Sequence, residues 1–509
     1  MKHPLLLSLA LVPLLVAGCA VGPDYHRAEV DAASAQPPPA DWQWQKADPR
    51  DAAPRDDWWV LYGDPELTRL EALATAQNQD LRSAIARVDK ARAQARLTGA
   101  SFFPSLSLEP AAARERLSGN NPQLAQAARG QSIPPATINS FNVPVDLSYE
   151  IDLWGRVRRS FESARDEAQA AVAETENVLL TLHSDVAIDY FTLREYDTEL
   201  AILRQTVETR KKSLDITEKR VRAGRATAVD FEQAKTELAN SEADLAEVAQ
   251  NRAETQNALA VLCGAAASGF AVSESPLPAD LLPPAIPVGL PATLLERRPD
   301  VARAERTMAA RNAQIGVAYA AYFPKVSLTG QYGYLSASAS NLFTKPSNIW
   351  SFGPSIDLPL FTGGQTTAQV KAARADYEGA VADYRGTVLE AFRDVEDALA
   401  RQHFLAERAA ALGRSAEAAT KAREFSERRY RSGAVDYFEV TQSQRTELAA
   451  RRAQAQVVGQ RLYAGVRLIK ALGGGWNEAQ LMAEAPAPYP VLPLDSKAPE
   501  PGVPVAKTE

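Results

Sequence analysis

The sequence has 509 residues, with 56 Lys+Arg against 63 Asp+Glu for a net charge of -7, and only two cysteines. That length allows about two to four ordinary domains; the acid excess argues against a nucleic-acid partner, which needs a basic face; and two cysteines make neither a disulfide scaffold nor a cysteine zinc site. A mean hydropathy of -0.25 excludes a bundle of transmembrane helices but leaves a β-barrel open, because barrel strands are only half apolar.

Residues 1–18 read as a lipoprotein signal peptide. Lys2 precedes the apolar run Leu5–Ala17, whose 13 residues suit a signal core and fall short of a membrane span. The small residues Val16-Ala17-Gly18 stand directly before Cys19, so cleavage is expected to leave Cys19 as the N-terminus, its thiol carrying diacylglycerol and the chain a palmitate. Removing Lys2 makes the mature balance 55 minus 63, or -8. Cys263 then has no partner and reads as a small buried apolar residue. Residues 19–64 are expected to form a lipid-anchored, loop-like linker, stiffened by Pro37-Pro38-Pro39 and pinned by Trp42, Trp44, Trp58 and Trp59.

The body of the chain repeats itself. Phe102-Phe103-Pro104 is answered by Tyr322-Phe323-Pro324, Ile151-Asp152-Leu153 by Ile356-Asp357-Leu358, and Arg220-Val221-Arg222-Ala223-Gly224 by Arg429-Tyr430-Arg431-Ser432-Gly433. Matches in one order imply a duplicated unit. Repeat 1 is assigned to residues 65–264, an equatorial connection to 265–298, repeat 2 to 299–473, and a proline-rich C-terminal segment to 474–509.

Each repeat contains two segments of period two, about 102–110 and 142–154, then about 323–335 and 349–361. Val143, Val145, Leu147, Tyr149 and Ile151 alternate with Asp146, Ser148, Glu150 and Asp152, which marks strands with one apolar and one polar face. Their length suits a membrane-spanning strand, and Phe102, Phe103, Trp154, Tyr322, Phe323 and Phe361 cluster at one end like an interfacial girdle. Four strands cannot close a barrel, and lipid tolerates no open edge. Several copies must therefore share one barrel, and three would give 12 strands around a lumen. Glu109, Asp146, Glu150, Asp152 and Asp357 are the expected acidic pore lining.

The remainder is helix of unusual length. Residues 156–223 contain neither Gly nor Pro, and 365–432 contain no Pro; each stretch of 68 residues would span roughly 100 Å. Return helices are expected over 225–263 and 434–472, and a shorter helix over Glu66–Thr98. The fold class is thus mainly α with a membrane β-barrel, two repeats per chain. The turns at Gly224 and Gly433 join descending to returning helices. By the chain path they lie at the tip farthest from the membrane, each followed by an acid, Asp230 or Glu439.

Cys19-Ala20-Val21-Gly22-Pro23-Asp24-Tyr25, Leu294-Leu295-Glu296-Arg297-Arg298-Pro299-Asp300-Val301 and the two glycine turns together resemble the TolC-like outer-membrane factors. The likeness is greatest to the OprM-like or NodT-like lipoprotein branch serving resistance-nodulation-division efflux pumps. The resemblance covers nearly the whole mature chain. It implies a homotrimer with a 12-stranded barrel in the outer membrane and a helical periplasmic tunnel. It further implies docking, by the tip turns at Gly224, Thr227, Gly433 and Val435, to a periplasmic membrane-fusion adaptor and through it to an inner-membrane transporter. It also makes Asp230, Tyr430, Asp436 and Glu439 the candidate gate, with departures: Glu439 replaces the usual aspartate, Gln442 stands where a second acid occurs, and Val435 where an arginine occurs.

The four histidines are far apart in sequence, and neither a paired-histidine metal motif nor a nucleotide phosphate loop is present, so no enzyme, metal or cofactor is expected. The expected function is a passive outer-membrane conduit exporting drugs, toxic compounds or metals. The rivals are the channel of a type I protein secretion system and a structural periplasmic coiled-coil lipoprotein.

Overall fold

The computed structural model describes residues 20–28, 57–118, 136–279, 281–284 and 298–474. Cys19, Trp42, Trp44, the triple proline and the tail beyond residue 474 lie outside the described residues. Trp58–Tyr62 departs from the expected loop by forming a 3-10 helix with Trp58 and Trp59 buried. The helices are α1 (Pro65–Gln77), α2 (Gln79–Gly99), α3 (Arg156–Arg222), α4 (Ala228–Leu262), α5 (Pro299–Ala320), α6 (Gln365–Arg431) and α7 (Tyr437–Ala471). The strands are β1 (Ser105–Leu108), β2 (Ala111–Leu117), β3 (Ala136–Ile151), β4 (Lys325–Ser336) and β5 (Asn348–Asp357). The single helix expected over Glu66–Thr98 is two, because Asn78 ends α1 and turns its side chain to accept from Leu81 N.

The helices form one layer in the order α2 and α4, then α3, then α5 and α7, then α6. Both 67-residue helices are about 100 Å long, and the shorter ones stack end to end beside them. The duplication is visible at both joints of this stack. Asn78 Nδ2 donates to Leu262 O at 2.9 Å where α4 meets α2, and Arg298 Nη1 donates to Ala471 O at 3.1 Å where α7 meets α5. Each joint residue stands before an ascending helix and satisfies an orphan carbonyl of the returning one. This gives the Arg-Pro-Asp-Val segment its reason: Arg298 is buried and also holds Asp300 and Asp394 at 2.6 and 3.2 Å.

The sheet has all neighbours antiparallel, in the order β1 and β2, β3, β4, β5. The segment expected over 102–110 is longer and divided. Pairs run from Ser105↔Ser148 to Leu108↔Val145 and resume at Ala111↔Asn142, so the register is unbroken across Glu109-Pro110. Pro110 offers no N–H to a ladder, whereas Glu109 N still donates to Pro144 O at 3.4 Å. β1 with β2 serves as one strand, and each chain supplies four.

The largest core lies at mid-length, where Trp58, Trp59, Leu67 and Leu70 meet Val186, Tyr190 and Leu193 of α3 and Leu462, Val466 and Ile469 of α7. Within it Glu71 and His183 pair at 2.7 Å with Trp59 stacked on the imidazole at 4.4 Å. Burial pushes the Glu71 carboxyl up to about 9 and the His183 imidazole down to about 4, so both are held neutral and the contact is a hydrogen bond between uncharged groups.

Candidate functional site

Cross-strand register sorts the sheet into two faces. Leu108, Val145, Tyr332 and Trp350 stand in one row and Leu106, Leu147, Gly330 and Phe352 in another; between them run Ser107, Asp146, Gln331 and Ser351 on the opposite face. The apolar face is bare: Trp350 is 75% exposed and Ile356 70%. From Phe141 to Ile151, β3 covers about 34 Å along its axis, which at a tilt of about 45° is roughly 24 Å of height, the thickness of a barrel's lipid-facing band. Beyond Phe141 this face carries Arg114, Asn139 and Arg116, which end the band. Monomeric soluble proteins rarely leave so continuous an apolar face bare, and such faces mark protein or membrane contacts. Among the described residues no helix is long and apolar enough to cross a membrane.

On the polar face Gln331 Nε2 donates to Asp146 at 2.9 Å. The expected acidic lining changes character at its base. Glu150 is paired with Arg156 at 2.7 Å and Lys325 at 3.3 Å, Asp152 accepts from the backbone of Val157 and Arg158 at the start of α3, and Asp357 lies opposite Lys325. Glu109 is exposed. The base is therefore a charge-balanced collar, because the first turn of α3 brings arginines that strand periodicity could not reveal. The aromatics near it divide likewise: Trp154 stacks on Phe323 at 4.7 Å and Phe102 packs on Phe161, while Phe361 is exposed.

Immediately below, residues 20–28 form a strap across the seam between the repeats. Val21 N donates to Trp154 O at 3.0 Å, Asn312 donates to Pro23 O at 3.1 Å, Asp24 meets Arg159 at 2.7 Å, and Arg27 meets Glu305 at 2.6 Å. Gly22 has φ +105° and lies so close to Gly316 that a Cβ on it would come 2.5 Å from the Gly316 Cα. Hence the Val-Gly-Pro-Asp-Tyr run: glycine at 22 meets both the left-handed backbone and the close approach.

At the opposite end Gly224 and Gly433 have φ +67° and +78° and close matching turns, Arg225 N to Arg220 O and Ala434 N to Arg429 O. Gly224, Thr227 and Gly433 are exposed and Val435 is half-buried. Thr227 and Asp230 form a reciprocal capping box for α4, and Asp436 caps α7 by accepting from Glu439 N at 3.3 Å. Glu439 is itself paired with Arg429 at 3.0 Å. Each acid of the candidate gate thus has local work at a helix start. Tyr430 is the member that joins the two hairpins, its ring lying under the Arg220 guanidinium at 4.2 Å and beside Tyr437 at 5.6 Å.

Sequence reasoning missed a buried tie between the hairpins. Glu237 of α4, 6% exposed, is held by Arg210 of α3 at 2.8 Å and by Arg445 of α7. Arg210 and Glu237 are spaced like any helix-face residues, and Arg445 stands 208 residues from Glu237, so only the fold brings them together. Among the described residues no group of three or more His, Cys, Asp or Glu side chains is placed to hold a metal ion.

Comparison with known proteins gives one consistent result. The family described as outer membrane efflux protein matches residues 70–265 and 290–474, one match per repeat. The chain is 34% identical over 475 residues to the outer membrane protein OprJ of Pseudomonas aeruginosa, covering 93% of this chain and 96% of that one. It is 30% identical over 471 residues to the cation efflux system protein CusC of Escherichia coli O157:H7, covering 92% and 98%. Its fold is similar to the solved structure of the outer-membrane channel OprN, with a TM-score of 0.79 at 30% identity over 90% of this chain and all of that one.

Proposed function

The chain belongs to the outer membrane efflux protein family, and on that premise we propose that three copies of it close one passive conduit from the periplasm to the exterior. It is the outer-membrane component of a tripartite efflux pump and exports drugs, toxic compounds or metals. The observation that supports the shared barrel is the four-stranded sheet with its apolar face bare and both edges unpaired, set at one end of the helical layer. In lipid an unpaired edge leaves backbone groups unsatisfied at several kcal/mol each, so β5 of one copy must pair with β1 and β2 of the next. The polar face then lines the lumen, and the helical layers close into a tunnel about 100 Å long. A purely structural rod would leave this sheet without a role.

Lipid on Cys19 would enter the membrane beside the strap, whose first described residue packs against Gly155 at the foot of the sheet. The tip turns at Gly224, Thr227, Gly433 and Val435 would receive a periplasmic adaptor, and an inner-membrane transporter would supply the energy. Contacts made better with an open than a closed tip would shift the population toward open. Asp230, Tyr430, Asp436 and Glu439 are the proposed gate. The test is planar-bilayer recording of the detergent-purified protein: a heat-modifiable trimer that conducts ions supports the conduit, and a non-conducting elongated monomer overturns it. Asp436→Ala combined with Glu439→Ala should raise single-channel conductance, and unchanged conductance discards the gate assignment.

A further inference from the structure

Along the groove between α3 and α7 run two adjoining cavities, neither of which the conduit uses. The upper one, about 340 Å³, is lined by Ala201 and Ile202 of α3, Leu277 and Pro278 of the connection, and Ala455 and Val458 of α7. The lower one, about 190 Å³, is polar, lined by Thr206, Thr209 and Arg210 of α3, Arg423 of α6, and Gln444 and Glu447 of α7. Gln205 and Arg451 line both, so the two chambers meet at a guanidinium.

The arginines at that junction are unequally partnered. Arg210 is matched by Glu237, and Arg423 by Glu427 and Glu447 at 3.1 and 2.7 Å. Half-buried Arg451 makes no ion pair with any described residue. The roof of the upper chamber is fixed: Ser275 N donates to buried Asp197 and Leu277 N to Thr198 Oγ1, both at 2.8 Å. Asp197 is held in turn by Arg194 and Arg252. An apolar chamber with few polar partners is a poor host for ordered water, and its volume lies in the range of small-molecule sites, which combine an apolar wall with a few placed polar groups.

We infer that this cleft binds a small amphipathic organic anion, its apolar body between Ile202, Leu277 and Val458 and its carboxylate on Arg451 and Gln205. A guanidinium recognises a carboxylate by paired charge-assisted hydrogen bonds, and Arg451 is the arginine of this junction that no described carboxylate already engages. The inference stands apart from the conduit, because it needs only the seam within one chain.

The full-length protein in lipid nanodiscs is titrated with 4-(trifluoromethyl)benzoate and followed by fluorine NMR, with the neutral 4-(trifluoromethyl)benzamide as comparison. Saturable binding of the benzoate is expected, weakened about tenfold or more by Arg451→Ala, partly retained by Arg451→Lys, and lost in Ala455→Trp, which fills the apolar chamber. Far-ultraviolet circular dichroism and an unchanged melting temperature report that each variant is folded. No saturable benzoate binding, equal binding by folded Arg451→Ala or Ala455→Trp, or an amide that binds as tightly as the acid would overturn the assignment.

Discussion

The three-residue tie at Glu237 predicts an asymmetry between its two arginines. Arg210 is 5% exposed and its Nε has no partner, so Glu237→Ala strands a buried guanidinium; losing one partner of a buried pair costs about 3–5 kcal/mol. Arg445 is 53% exposed, and its removal leaves Glu237 still neutralised by Arg210, so Arg445→Ala should cost only the about 0.2–1 kcal/mol of a surface pair. Native-state hydrogen exchange over residues 205–215 and 232–242 reads the difference, with 1.4 kcal/mol of local stability per about tenfold in rate. Glu237→Ala should accelerate exchange there by about a hundredfold or more, and Arg445→Ala by less than about tenfold. Equal effects would refute the reasoning, because they would mean that Arg210 is not the buried member of the tie. If the asymmetry holds, Glu237 stays compensated within the α3–α4 hairpin when Arg445 is lost, whereas buried Glu199 of α3 still depends on Arg452 and Gln456 of α7.

Further outcomes follow from other parts of the structure. Cys19→Ser should abolish metabolic labelling with palmitate, and persistent labelling would move the lipid elsewhere. At pH 8 the Glu71 carboxyl is protonated when folded and ionised when unfolded, so its contribution is lost as pH rises from about 4.5 toward about 9. Glu71→Gln keeps a neutral hydrogen-bonding group there, and its melting temperature should gain on the native protein between pH 5 and pH 9; parallel pH profiles would show that Glu71 is ionised in the fold. Trp350→Arg sets a charge on the bare face of the sheet at about 2–4 kcal/mol if at the bilayer midplane, and should lower the yield of heat-modifiable trimer in outer-membrane fractions. Undiminished yield would place that face away from lipid.

Much of the architecture was legible because its signals are local. Period two marked the strands, missing prolines marked the 67-residue helices, and motifs recurring in one order, ending at the glycine turns, marked the duplication. Trp58–Tyr62 was hidden because its short helix owes its place to burial against α3 and α7, a tertiary effect. The break at Asn78 carries a helix-capping residue, but its apolar neighbours continue the pattern across it. The acidic lining was overstated for a related reason: Arg156 and Arg158 belong by sequence to the helix and by space to the strand end. The tip acids were visible as acids, whereas Glu237 and its two arginines become a group only when two hairpins 200 residues apart are packed side by side.

The unbroken register through Glu109-Pro110 bears on how a chain with two free sheet edges survives before it meets its neighbours. Glu109 turns its N–H inward to Pro144, so the N–H missing at Pro110 is one that would have faced the free edge. Pro354 lies in the opposite edge strand. A stray strand approaching the β1–β2 edge finds its row of donors interrupted, whereas in the proposed barrel the β5 of the next copy would meet that gap in one fixed register. A proline so placed disfavours the sticky, indiscriminate pairing that an apolar four-stranded sheet invites in water.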